Sequence, residues 1–123
     1  MRTLVVALLV SASSILSIFA GNSAAADKEG YYMVWGHGRT SCGMWLELRR
    51  SNQAAALDVS IWMQGFITAY NMYAPGTLKD IADGTDVQAR DAWLDKYCEE
   101  HPLDNISHAA RELMVELRAR NVK

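Results

Sequence analysis

Two cysteines, Cys42 and Cys98, constrain this 123-residue chain more than any other feature. Their chemistry depends on the compartment the chain enters, and the first 26 residues speak to that. Arg2 is followed by an apolar run over 4–10 and a second over 15–20, and Ala24-Ala25-Ala26 supplies a small-x-small cleavage site before Asp27. This is the order of a secretory signal peptide. The expected organisation is a leader over 1–26 and one domain over 27–123, delivered to a bacterial periplasm or the cell exterior. The rival reading is an uncleaved anchor, but Ser11, Ser13, Ser14 and Ser17 interrupt its apolar run and leave the alanine triplet without a use.

In an oxidising compartment two cysteines permit one intramolecular bridge. That bridge would close a loop of about 57 residues, for which chain entropy gives about 4 kcal/mol. A metal site would need further ligands, and the pair lacks CxxC spacing. A structural disulfide is therefore the expectation. The remaining length suits one small domain and excludes a large cofactor-binding enzyme. Formal net charge is −2, and one unit more negative without Arg2, so no basic surface argues for nucleic acid. No apolar stretch after Ala26 is long enough to span a membrane.

Apolar spacing predicts an all-α chain, a small four- to five-helix bundle. An irregular arm over 27–40, broken by Gly36 and Gly38, precedes it. Ser41 is placed to cap a first helix over Cys42–Ser51, with Cys42 and Trp45 on one face. A second helix over 54–73 shows a stripe of Leu57, Ile61, Gly65, Ala69 and Met72, widened by Trp62, Phe66, Tyr70 and Tyr73. Gly65 in that stripe suggests close approach of a neighbouring helix, offsetting its poor helix propensity. Pro75-Gly76 ends the helix, and a short helical turn is expected over 78–82. Thr85 with Gln88 matches a capping box for a third helix over 86–100, with Val87, Leu94, Tyr97 and Cys98 inward and Trp93 beside them. His101-Pro102 stops it. Asp104 is placed to cap a last helix striped by Ile106, Ala109, Ala110, Leu113 and Leu117.

Motifs of catalysis are sparse. His37, His101 and His108 share no ligand spacing, and no HExxH, GxSxG, P-loop or dinucleotide glycine pattern occurs. Asp80, Asp83, Asp86 and Asp91 miss the order of a calcium loop. The reading is of a non-enzyme, without catalytic residues, metal or cofactor. What stands out is aromatic surface: Tyr31, Tyr32, Trp35, Tyr70 and Tyr73 are hard to place inside so small a core. They either close over it or form a patch for a protein partner.

Three blocks carry a family resemblance. They are Ser41-Cys42-Gly43-Met44-Trp45 with Arg49; Trp62-Met63-Gln64-Gly65-Phe66-Ile67-Thr68-Ala69-Tyr70-Asn71; and Trp93-Leu94-x-x-Tyr97-Cys98-x-x-His101-Pro102 with Ala109-Ala110 and Glu116-Leu117. Over 41–117 the chain resembles the small exported helical proteins grouped with HdeA and with the periplasmic immunity proteins of type VI secretion amidase effectors. The resemblance implies an all-helical periplasmic protein with its cysteines joined, working by binding and often as a homodimer. Its immunity branch, which the Trp62 block resembles more, would neutralise a secreted peptidoglycan amidase. The alternative is an acid-stress chaperone for unfolded periplasmic clients. No catalytic residue transfers. The candidate partner surface is Tyr70, Tyr73, Thr77, Lys79, Asp80 and Asp83; the expected structural residues are Trp45, Trp62, Gly65 and Trp93.

Overall fold

A computed structural model describes residues 31–74, 76 and 79–121. The expected leader, the start of the arm and Thr77 lie outside them. Tyr31 and Tyr32 belong to a first unit with the residues before them; the second unit, from Met33 to Lys123, carries every described helix.

In that unit a 3-10 turn, Gly36–Arg39, leads into four helices: α1 (Cys42–Ser51), α2 (Gln53–Tyr73), α3 (Val87–Glu100) and α4 (Ile106–Asn121). Among the described residues the only β-pairing is an isolated bridge between Ser41 and Asn105. Each helix starts where a short polar side chain satisfies a free amide. Ser41 Oγ accepts from the Met44 amide at 3.2 Å, and Asn52 Oδ1 from that of Ala55 at 3.2 Å. Two expected caps move by one residue. Asp86, not Thr85, caps α3, accepting from Ala89 N at 2.7 Å. The Thr85 hydroxyl is committed elsewhere, donating to the Ala82 carbonyl at 2.6 Å and accepting from Arg90. At α4, Asn105 Oδ1 takes the His108 amide at 3.0 Å. Asp104 instead accepts the Tyr97 hydroxyl at 2.6 Å.

The core joins Trp45 of α1, Val59, Met63 and Ile67 of α2, Leu94 of α3, and the α4 stripe Ile106, Ala109, Ala110, Leu113 and Leu117. Met114 completes that stripe. Cys42 and Cys98 are bonded and fully buried, with Cα atoms 4.7 Å apart, tying the start of α1 to the end of α3. Beside them, Cys42 N donates to Asp104 O at 2.8 Å and Ile106 N to Thr40 O at 2.9 Å, so the start of α4 is held at the same pole.

The phase of α2 reverses the expected one. Its buried residues are Ala56, Val59, Ser60, Met63 and Ile67. Leu57, Ile61, Gly65, Ala69 and Met72 face away from the core, while Trp62, Phe66 and Tyr70 are half-buried along its flank. The helix carries apolar residues on every side, so periodicity alone does not set its rotation. The polar Ser60 does: it is buried because its hydroxyl donates to Asp91 Oδ1 of α3 at 2.8 Å. Gly65 therefore has no close-approach role, since a Cβ there would meet nothing within 4 Å. The close approach is at Gly38. It is buried beneath Trp62, and a Cβ there would overlap the Trp62 ring and Val34. Trp62 is held in place by its Nε1–H, which donates to Trp35 O at 2.8 Å.

After α2 the chain turns at 81–84 rather than forming a helix over 78–82, whose residue 78 is not described. Ile81 and Ala82 of this connection are core residues. Burying an isoleucine contributes about 1.5–3 kcal/mol, enough to pin a loop that reads as polar.

Candidate functional site

The expected partner surface divides into a fixed part and an exposed part. Asp80 is exposed, yet its carboxylate organises the loop: Oδ1 accepts from Asn71 Nδ2 at 2.9 Å and from Ala82 N at 3.0 Å. Those two donors, the backbone amide first, hold its carboxyl below the usual range. Asn71 also accepts from the Ile81 amide at 2.9 Å, and Asn121 of α4 donates to the Ile81 carbonyl at 2.9 Å. A polar cavity of about 280 Å³ lies here, bounded by Gln64, Thr68, Asn71, Asp80, Thr85 and Arg90. Lys79 and Asp83 are exposed beside it. Tyr70 is half-buried, its hydroxyl accepting from Arg118 Nη1 at 3.2 Å. Tyr73 is 80% exposed.

Large apolar side chains are exposed on the outer side of α2, and also at Met44, Leu103 and Val115. Leu57 and Ile61 are 55% and 53% exposed, and Met72 is 66% exposed. On the preceding segment Met33 and Trp35 are 75% and 77% exposed, with the Trp35 carbonyl fixed by Trp62. Contiguous apolar patches mark interaction surfaces, whereas single exposed apolar side chains are ordinary. The spacing of Leu57, Ile61, Gly65, Ala69 and Met72 was visible in the sequence, but its direction was not.

A second constellation ties α1, α2 and α3 together. Arg49 forms a forked pair with Asp95, Nη2 to Oδ2 at 2.9 Å and Nε to Oδ1 at 3.1 Å, and its guanidinium carbon stands 5.3 Å from the Trp45 ring centroid. Trp45 Nε1 donates to the same Asp95 Oδ1 at 2.8 Å. Asp91, one turn earlier on α3, lies against Ser60. Burial raises its carboxyl above the ordinary value, partly opposed by the Ser60 hydrogen bond and by Arg49. The forked pair keeps Trp45 oriented in the core, and each buried polar atom here has a partner. Among the described residues no buried side-chain nitrogen or oxygen lacks one. The cluster is thus a satisfied structural brace, and its perturbed carboxylate needs no substrate to explain it.

Further along α3, Trp93, Tyr97 and His101 stack in sequence, with ring centroids 5.3 and 4.4 Å apart. Trp93 Nε1 donates to Glu116 Oε2 of α4 at 2.6 Å. Burial and the adjoining Asp104 carboxylate push the Tyr97 hydroxyl up to about 12, and the same hydrogen bond holds Asp104 low. His108 Nδ1 stands 3.6 Å from Asp104 Oδ1. The expected structural roles of Trp45, Trp62 and Trp93 thus each have a named contact; that of Gly65 does not.

Among the described residues, no group of three His, Cys, Asp or Glu side chains is placed to hold a metal ion, and no helix is long and apolar enough to cross a membrane. The class defined at this point is a small all-helical bundle closed by one disulfide, with an apolar outer face on its longest helix. Comparison with known protein families, with curated proteins and with solved structures finds no match to this chain.

Proposed function

We propose that this chain is an exported, non-enzymatic binding protein of the periplasm, most concretely an immunity-type protein that neutralises a secreted cell-wall-degrading amidase. The observation that carries the reading is the outer face of α2, along which Leu57, Ile61 and Met72 are each more than half exposed. Such a surface on a disulfide-closed scaffold suits recognition of a folded partner with little reorganisation. The resemblance of the three sequence blocks supplies the choice of partner class, and the same face offers itself for pairing two copies.

The test is direct. Where a neighbouring gene encodes a secreted peptidoglycan amidase, the oxidised mature protein is titrated against that enzyme, with hydrolysis of purified cell wall followed at neutral pH. Stoichiometric inhibition is expected, together with a stable complex on a sizing column. Absence of both, with protection of unrelated client proteins from aggregation at pH 2–3, would establish the acid-stress chaperone instead. That second reading draws on one observation: the Tyr97 hydroxyl donates to an Asp104 carboxylate held below its ordinary range, an interaction that weakens when strong acid protonates it.

A further inference from the structure

The polar cavity of about 280 Å³ lies where α2, the connection after it and α3 come together. α2 contributes Gln64, Ile67, Thr68 and Asn71, which at i, i+3, i+4 and i+7 share one helix face. The connection brings Asp80 to the same cavity, and the first turn of α3 brings Arg90. One carboxylate and one guanidinium therefore line a space whose largest apolar side chain is the buried Ile67.

Each charged group is fixed through one atom and keeps another in reserve. Asp80 accepts from Asn71 Nδ2 at 2.9 Å and from Ala82 N at 3.0 Å, both on Oδ1, so Oδ2 retains its acceptor capacity. Arg90 donates to Thr85 O at 3.1 Å and to Thr85 Oγ1 at 2.7 Å, both from Nη1, so the donors on Nη2 and Nε are retained as well. The two groups feel one another. The Asp80 carboxyl is held low by the Ala82 amide first, then by Asn71, and the charge of Arg90 adds to the effect. They do not meet, for among the described residues neither belongs to an ion pair. A lone anion entering here would be opposed by Asp80, and a lone cation by Arg90. A molecule that carries both charges satisfies both groups. Ligand pockets start near ~300 Å³, so a cavity of this size suits a molecule with few heavy atoms.

From this arrangement we propose that the cavity between α2, the connection and α3 binds a small zwitterion, a free α-amino acid with a polar side chain, its carboxylate on Arg90 and its ammonium group on Asp80. Arg90 offers the carboxylate a forked pair of N–H donors, and the ammonium group donates to Asp80 Oδ2. The carbon skeleton rests against Ile67, and the polar side chain is met by the Gln64 carboxamide and the Thr68 hydroxyl. The site is separate from the outer face of α2 and stands whether or not the chain neutralises an amidase.

The experiment is an amide-resolved NMR titration of the oxidised mature protein with L-glutamine at neutral pH. Shifts are expected at Gln64, Thr68, Asn71, Ala82 and Arg90. N-acetylglutamine lacks the ammonium charge and glutamine amide lacks the carboxylate. Each is expected to bind at least about tenfold more weakly, the effect of losing a charge-assisted contact. Thr68→Leu fills the cavity without touching either charged group, and it should abolish the shifts while the protein stays folded. Arg90→Gln should weaken glutamine about tenfold. Because Arg90 also braces Thr85, the comparison of the three ligands on the natural chain decides the matter if that variant does not fold. The proposal is overturned by equal binding of either blocked ligand, by an unchanged affinity in folded Thr68→Leu, by shifts elsewhere, or by no binding of glutamine, asparagine or serine at millimolar concentration. Acetate or ammonium binding as well as glutamine would make the cavity a site for an adventitious ion only and would also overturn it.

Discussion

The close approach that spacing suggested for Gly65 occurs at Gly38 instead, and the difference can be measured. At Gly38 an added methyl group collides with a Trp62 ring that is anchored by its hydrogen bond to Trp35 and cannot simply swing aside. Gly38→Ala is therefore expected to destabilise the protein by about 1–3 kcal/mol, seen as an earlier urea midpoint. At Gly65 the added methyl meets nothing, and alanine is the better helix former. Gly65→Ala should raise stability by up to about 1 kcal/mol in the same assay. A destabilised Gly65→Ala would mean that the outer face of α2 is covered in solution. Asp91 supplies a test with a pH sign. Its folded-state pKa lies above the ordinary value because it is buried. The stability tied to its protonated form is present below the unfolded pKa and is lost as pH rises through the folded one. Asp91→Asn keeps an acceptor for Ser60 without the charge. It should match the natural chain near pH 3 and melt higher at pH 7.

Helices whose apolar residues occupy one narrow stripe were legible from the sequence. The boundaries of α1 and the buried stripe of α4 were read correctly because polar residues on their other sides leave one possible inward face. α2 was legible as a helix but not in its rotation. Leu57, Ile61 and Met72 are as apolar as Val59, Met63 and Ile67, and the contacts that accompany the observed rotation, Ser60 with Asp91 and Trp62 with Trp35, are distant in sequence. The same reasoning explains Ile81. A lone isoleucine among Lys79, Asp80 and Asp83 has no periodicity to report its burial, and its anchors Asn71 and Asn121 come from two helices. Caps were misplaced by one residue where two capable side chains stand in succession. Thr85 and Asp86 both qualify locally, and the choice falls to Asp86 because Arg90 and Ala82 claim the Thr85 hydroxyl. Asp86→Ala should cost about 1 kcal/mol in urea unfolding, and Thr85→Val should lose the loop contacts without fraying the first turn of α3. Of the candidate site, the residue types were legible and the polar cavity was not, since Asn71, Asp80 and Arg90 come together only where α2, the connection and α3 meet.

At the scale of the whole molecule, one covalent bond closes the bundle. Replacing both Cys42 and Cys98 with serine should cost about 2–4 kcal/mol and lower the melting temperature by about 10 °C or more in calorimetry. Acid acts on the same pole. The Asp104 carboxyl lies below its ordinary value, held there first by the Tyr97 hydroxyl. Its contribution is present above the unfolded pKa and is lost as pH falls through the folded one. Tyr97→Phe should therefore flatten the acid limb of the stability curve, which thermal melts between pH 6 and pH 2 would show. Topologically, the bond makes a ring of α1, α2, the intervening loop and α3, with the arm on one side and α4 on the other as tails. A protease that cuts once between α2 and α3 consequently opens the ring without releasing a piece. The nicked protein would still migrate as one chain on a denaturing gel until a reductant separated its halves, so one cut inside the ring frees nothing unless the bond is reduced or a second cut follows.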